Sequence, residues 1–179
     1  SLFRKTYNNF LQRSHFFSRE NLFEWIGVEI SDLQETQNTK PLEIINVGAG
    51  GAAYDQINRF ENAKIIQIDI DEERNPDIVA DVCDMPMFKD NSIDAIFMIE
   101  VLEHVAEPWR AIPEINRILK PGGRLIVSTP FIFPAHDEPY DFYRYTRYGL
   151  EYLLKDFDGV LVRERGSYIN STYACLLYT

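Results

Sequence analysis

The chain is expected to fold as an α/β three-layer sandwich, a mostly parallel, doubly wound sheet with helices on both faces. Three observations predict this. Short apolar, β-branched runs alternate with helical stretches, which implies crossover connections and a parallel sheet covered on both sides. The run Ile44-Ile45-Asn46-Val47 breaks into Gly48-Ala49-Gly50-Gly51-Ala52, a sharp strand-to-helix turn. A second run, Ile66-Gln67-Ile68-Asp69-Ile70, brings a carboxylate nineteen residues after Gly50. Glycines let the backbone approach a ligand with no Cβ in the way, and an acid on the next strand can accept hydrogen bonds from ribose hydroxyls. Together they mark a nucleoside site.

Each element has its own signal. Residues 1–37 read as helical, with Leu22, Trp25, Ile26, Glu29, Ile30 and Leu33 on a partly apolar face. Asn38-Thr39-Lys40-Pro41 breaks that helix. Strands are expected at 42–47, 64–70, 78–80, 93–99, 124–129 and 160–165, and a helix near 52–60. Helical material should follow the 93–99 strand as far as Leu119, kinked or restarted at Pro113. Lys120-Pro121-Gly122-Gly123 should end it. A helix near 147–155 should start from Thr146 as N-cap. This is a Rossmann-like order. Residues 1–40 are read as a helical lid or interface segment, and 41–179 as the main domain, truncated at its C-terminal side. Neither Ser1 nor Thr179 is taken as a native terminus, and residues 166–179 give no clear pattern.

With 179 residues and 45% hydrophobic content the chain can bury one sizeable core. A net charge of −10 argues against broad binding to nucleic acid or anionic membrane, which needs basic patches. Cys83 and Cys175 lack disulfide or zinc spacing, so a reducing cytoplasm is the expected location. No apolar run approaches the roughly 18 residues of a spanning helix, and the start lacks a signal-peptide layout.

With these motifs in view, the chain resembles the class I S-adenosylmethionine-dependent methyltransferases, and within them the type 11 group. The residues that carry the resemblance are Asn46 to Gly51, Asp69, Asp81-Val82-Cys83-Asp84-Met85-Pro86, Ser92-Ile93-Asp94-Ala95-Ile96, Glu100-Val101-Leu102-Glu103-His104-Val105, and Glu114-Ile115-Asn116-Arg117-Ile118-Leu119-Lys120-Pro121-Gly122-Gly123. It covers about residues 42 to 165. The resemblance implies S-adenosyl-L-methionine as cofactor and direct SN2 transfer of its methyl group to a small-molecule or sugar-type acceptor, at oxygen or nitrogen. It places Asn46, Gly48, Ala49 and Gly50 against the methionine part, with Glu100 near the same end. Asp69 would hold the ribose, Ile70 would pack on the adenine, and Asp81 with Val82 would face the adenine edge, Asp84 competing with Asp81. Two positions depart from the family. Asn46 stands where an acid is usual and lacks the charge that favours an ammonium group, and Ala52 replaces a frequent third glycine.

Residues 131–148 hold seven aromatics in eighteen residues, plus His136, Asp137, Asp141, Arg144 and Arg147. They follow a strand toward the carboxyl edge where open α/β sheets bind ligands, and aromatic walls suit a substrate pocket. The stretch from His136 to Thr146 looks like one shared by methyltransferases linked with cell-surface sugar metabolism. Tyr140 and Arg144 are the acceptor-site candidates, and His136 and His104 the candidate bases for a hydroxyl acceptor. An amine would need only to lose its proton. If helical, Glu100, Glu103 and His104 share one face. Some related methyltransferases hold a divalent ion on such a Glu-x-x-Glu-His group and a later His, here His136. The other reading is a capping and hydrogen-bonding feature, and no metal is assigned. Trp25 and the aromatics of residues 1–25 are read as a lid or homodimer surface. Two rivals stand. Gly48-Ala49-Gly50-Gly51-Ala52-Ala53 also fits a nicotinamide-dependent oxidoreductase, although no Tyr-x-x-x-Lys pair accompanies it. The other rival is a non-catalytic binding module, favoured by Asn46.

Overall fold

The computed structural model describes residues 22–36, 41–50 and 54–163. Its elements run α1 (Leu22–Thr36), β1 (Leu42–Val47), α2 (Tyr54–Ile57), β2 (Ala63–Asp69), β3 (Ile78–Val79), β4 (Ile93–Ile99), α3 (Pro108–Ile118), β5 (Leu119–Ser128) and α4 (Arg147–Leu153). The five strands form one parallel sheet in the order β3-β2-β1-β4-β5. The chain winds outward from β1 to β3, then returns to β4 on the other side of β1. The carboxyl ends of β1 and β4 are therefore the point where strand order reverses, the usual crevice of such sheets.

Alternation along the strands builds the layers. From β1 and β4, Ile44, Ala95 and Phe97 point to one face, where Leu22, Ile26, Ile30 and Leu33 of α1 cover them. Ile45, Val47, Ile96 and Met98 point to the other face, against Ala111, Ile112, Ile115 and Ile118 of α3. The apolar face expected for residues 22–33 is thus a layer of the fold. Of the segment 1–40 read as a lid or interface, residues 22–36, Trp25 included, pack on the sheet, while 1–21 and 37–40 lie outside the described residues, as do 166–179.

The Lys120–Gly123 breaker behaves differently from expectation. It ends α3, but β5 has already begun at Leu119, opposite Ile93. The register then jumps to Ala95 opposite Arg124, so the Pro-Gly-Gly segment is an irregularity inside the strand rather than a loop before it. Gly123 is needed there, because a Cβ would stand 2.9 Å from the Lys120 carbonyl oxygen. Asp94 fastens the bulge. It is 5% exposed, its Oδ2 accepts from Glu43 N at 2.8 Å, and Lys120 Nζ donates to both oxygens at 2.7 Å.

Pro113 neither restarts nor ends α3, which runs through it. It lies on the exposed face, where water can take the carbonyl it leaves unpaired. The Glu114…Arg117 pair clamps residues 85–90 to α3: Glu114 Oε1 accepts from Met85 N, and Arg117 donates to the carbonyls of Met85 and Phe88 and to Asp90. Residues 160–163 of the last expected strand lie outside the sheet, and 164–165 are not described. Thr146 is the N-cap of α4 as expected, its hydroxyl accepting from Gly149 N at 3.0 Å. Thr146→Ala should cost about 1 kcal/mol of stability, read from the shift of the denaturation midpoint.

Candidate active site

Two clusters line the carboxyl edge. The first lies at the ends of β1 and β2. Gly48 and Gly50 have φ of +89° and +74°, conformations that suit glycine. Gly48 N donates to Ile68 O at 2.9 Å, and Ala49 N donates to Asp69 Oδ2 at 2.8 Å. The glycine turn and the acid, twenty residues apart in sequence, are thus joined directly. Asp69 Oδ1 also accepts from Asp71 N at 2.9 Å. Each carboxylate oxygen has a further lone pair, so the group can still accept from two hydroxyls.

The same observations test whether an adenosyl cofactor fits. A Cβ added to Gly50 would meet nothing within 4 Å, so the turn faces open space. Ile70, next to Asp69, is 72% exposed, an apolar surface at the strand tip where a base can lie. Gly51 and Ala52 fall outside the described residues. Asn46 is buried, and its Nδ2 donates to Gly48 O at 3.1 Å. A carboxylate could not make that bond, so the departure from the family's acid gives up charge and gains a tie within the turn.

Asp81 closes a tight turn, its Oδ1 accepting from Cys83 N at 2.8 Å with Asp84 bridged to it. Val82 is different from expectation. Its side chain is buried in the core, so only its backbone is left to face a ligand.

The second cluster lies beyond β4 and β5. Glu100, Glu103 and His104 do not share a helical face. Glu100 sits at φ +55°, and only Leu102–His104 form a short 3-10 turn. Glu100 Oε1 accepts from Ser128 Oγ at 2.6 Å, which ties the end of β4 to the end of β5. Glu103 instead points inward and is fully buried, and neither of its oxygens has a hydrogen-bond partner. Burial, then the nearby charge of Glu100, pushes its carboxyl up to about 8. The Thr129 hydroxyl is near enough to temper this but lies short of hydrogen-bond geometry.

His104 and His136, 32 positions apart in sequence, meet edge to face with ring centroids 4.8 Å apart. Their Nε2 atoms lie 3.8 and 4.0 Å from the same Glu103 oxygen. The aromatic loop makes this meeting. The amides of Phe142 and Tyr143 donate to Glu103 O, Tyr143 Oη to Ala106 O, and Tyr145 Oη to Leu102 O. Burial raises the Tyr145 phenol.

Arg144 turns into the loop rather than outward. Its guanidinium grips Asp141 through two bonds of 2.6 and 2.7 Å and donates to the carbonyls of Phe133, Pro134 and Tyr143. It holds the Asp141 carboxyl well below the usual carboxylate range. Tyr140 has a 66% exposed side chain, while its carbonyl meets His104 Nδ1 at 2.8 Å. The sequence points to Asp141 only as one polar residue of the aromatic loop, and to Glu103 only as a member of the Glu-x-x-Glu-His group. The i, i+3 acid–arginine spacing and the Glu-His dipeptide were their only signals. Asp141→Ala should cost roughly 1.5–3 kcal/mol, since it strips a half-buried guanidinium of its charged partner. We expect it also to release the loop, seen as faster amide exchange at Phe142 and Tyr143.

The fold and this crevice define a class: doubly wound α/β proteins with an open glycine turn joined to an acid at the carboxyl ends of β1 and β2. Residues 45–127, from β1 to β5, match the family described as "Methyltransferase domain". By that match the chain is similar to the methyltransferases of the type 11 group. An uncharacterised protein of Methanocaldococcus jannaschii is 32% identical over 66% of this chain and 53% of its own. A demethylmenaquinone methyltransferase of Tropheryma whipplei is 32% identical over 82% of this chain and 61% of its own. This chain thus spans only part of the length of these relatives. Among solved structures, a SAM-dependent methyltransferase from Aquifex aeolicus superposes with a TM-score of 0.52 at 21% identity, over 70% of this chain and 76% of that one. The [4+2]-cyclase SpnF gives 0.57 at 22% identity, over 72% and 56%. These structures share the fold, and a cyclase among them is a reminder that the fold alone does not fix the reaction.

Proposed function

We propose that the protein methylates a small, ring-bearing acceptor, of sugar or other hydroxyl or amine type, using S-adenosylmethionine. The observation that carries this reading is the arrangement along one sheet edge. The Gly48–Asp69 crevice lies at β1 and β2, and the His104–Glu103–His136 cluster lies just past β4 and β5. When bound, S-adenosylmethionine supplies an electrophilic methyl group on a sulfonium. Gly48, Ala49 and Gly50 bind its amino-acid part with their backbone, Asp69 binds the ribose, and Ile70 and the Asp81–Val82 turn line the adenine. Glu100, held by Ser128, closes the crevice on the methionine side.

The acceptor lies against the exposed Tyr140 ring and the histidine pair. Its hydroxyl or ammonium proton is drawn off at the His104–Glu103–His136 cluster. Arg144 acts as a positioning residue, through Asp141 and the loop carbonyls. The protein's task is to hold the acceptor in line and keep water out. The exposed aromatics and the name of the T. whipplei relative favour a ring-bearing acceptor.

The test is a pair of titrations. We expect saturable binding of S-adenosylhomocysteine and no signal with NADH. Binding of NADH alone would replace methyl transfer with the oxidoreductase reading, and binding of neither would favour a non-catalytic module.

A further inference from the structure

We propose that the imidazoles of His104 and His136 together grip the nitrogen of a primary amine, which makes an amine, and not a hydroxyl, the methyl acceptor. The amine's part in the reaction rests on the methyl-transfer reading; its capture by the two rings does not. Donors and acceptors decide the matter. His104 Nδ1 stands 2.8 Å from Tyr140 O, an atom that can only accept, so Nδ1 carries the ring proton. His136 Nδ1 lies 3.3 Å from both Pro134 O and Asp141 Oδ2, and so carries its own. Arg144 Nη2, 3.5 Å from it, already gives its two hydrogens to Pro134 O and Asp141 Oδ2. Each ring is left with an Nε2 that can only accept.

The two Nε2 atoms stand 3.8 and 4.0 Å from the same Glu103 oxygen, and their side chains are 20% and 26% exposed. The ligand atoms of the three residues lie within 4.8 Å of one another. Two N–H bonds on a tetrahedral nitrogen, each about 2.9 Å from its acceptor, call for acceptors roughly 4.7 Å apart. A primary amine fits that span with two hydrogens and keeps its lone pair free. A hydroxyl has one hydrogen, so the second Nε2 would face oxygen lone pairs. Glu103 does not compete for the rings. Burial pushes its carboxyl up to about 8, so it is uncharged at neutral pH, and neither of its oxygens has a hydrogen-bond partner.

The surroundings disfavour an anionic acceptor. Arg144, beside His136, uses all five N–H groups within the loop: Nε on Phe133 O, Nη1 on Asp141 and Tyr143 O, and Nη2 on Asp141 and Pro134 O. Asp137 and Glu138, directly after His136, are exposed acids, and the exposed Tyr140 ring offers a face that attracts a cation. The ammonium first gives one proton to solvent water. The nitrogen's electron pair then forms the N–CH3 bond as the C–S bond breaks, the C–S pair leaving on sulfur. Positive charge develops on a nitrogen whose two N–H bonds point at the Nε2 lone pairs, so the rings stabilise the transition state. Finally one of those N–H bonds breaks, its pair staying on nitrogen and its proton passing to an Nε2.

The experiment uses two probes of one ring skeleton, cyclohexylamine and cyclohexanol. Each is titrated into the full chain at neutral pH, with and without S-adenosylhomocysteine, while imidazole 15N shifts report the Nε2 atoms. We expect the amine to bind at least tenfold tighter than the alcohol and to move both Nε2 resonances. His104→Phe and His136→Phe should each weaken the amine at least tenfold and the alcohol less than about twofold, at unchanged S-adenosylhomocysteine affinity. If His104→Phe does not fold, His136→Phe, at a partly exposed position, carries the same expectation. Equal binding of the two probes, tighter binding of the alcohol, or binding of neither would overturn the inference. So would an amine preference that survives loss of the rings, because the acidic surface would then be its source. S-adenosylhomocysteine binding with no amine preference overturns this inference alone. Capture of the amine by both rings without S-adenosylhomocysteine binding supports the pair and overturns the proposed function.

Discussion

Asp69→Ala is expected to raise the dissociation constant for S-adenosylhomocysteine about 5- to 150-fold, the loss of charge-assisted hydrogen bonds worth ~1–3 kcal/mol. The carboxylate is proposed to serve both ribose hydroxyls. It also accepts from Ala49 N at 2.8 Å and Asp71 N at 2.9 Å, so its removal unties the glycine turn from β2. The variant should therefore melt earlier even without ligand. Asp69→Asn separates the two roles. Its amide oxygen can still accept from Ala49 N but brings no charge to the ribose, so the melting temperature should recover more than the affinity does. Calorimetric titration of both variants, beside their thermal melts, is the measurement. An unchanged dissociation constant in Asp69→Ala would take this residue out of the cofactor site.

Gly48→Ala should destabilise the fold by roughly 2–4 kcal/mol, the sum of two costs. A φ of +89° is strained for any residue with a side chain. The new Cβ would also stand 2.7 Å from Val101 Cγ2, and valine has little χ1 freedom with which to move aside. Gly50→Ala is the built-in control. Its φ of +74° carries the strain, but nothing lies within 4 Å of the added carbon, so it should cost only about 1–2 kcal/mol. That open space is where the cofactor is proposed to lie, so Gly50→Ala should lose affinity out of proportion to stability. Adding Val101→Ala to Gly48→Ala should recover the clash and leave the strain. Denaturant midpoints of Gly48→Ala, Val101→Ala and their double variant, beside the wild type, give the cycle. Equal losses for Gly48→Ala and Gly50→Ala would mean that Val101 plays no part.

The sheet was readable because its signals are local. The boundaries of β1 and β4 follow from dense β-branched runs, and Thr146 as an N-cap follows from one hydroxyl before a helical stretch. Where a segment's fate depends on a distant partner, the reading erred. Lys120–Gly123 contains every breaker residue, yet it lies inside β5 because the Asp94 carboxylate, from another strand, holds Lys120, and the Ile93 and Asp94 carbonyls crowd a site where only glycine fits. Glu100 and Glu103 have the spacing of a shared helical face. One left-handed residue sends the first to Ser128 and the second into the core.

By itself, the sequence determined the α/β class, the glycine turn and the acid that follows it, because strand periodicity and turn chemistry act over a few residues. Only the tertiary structure decided the partners of the polar groups. It turned Arg144 from an acceptor-site candidate into the clasp of the aromatic loop, buried the Val82 side chain, and brought His104 and His136 onto one oxygen of Glu103. The reason is that a buried charge or lone pair must be satisfied by whatever the folded chain places within about 4 Å, and sequence distance carries no information about that.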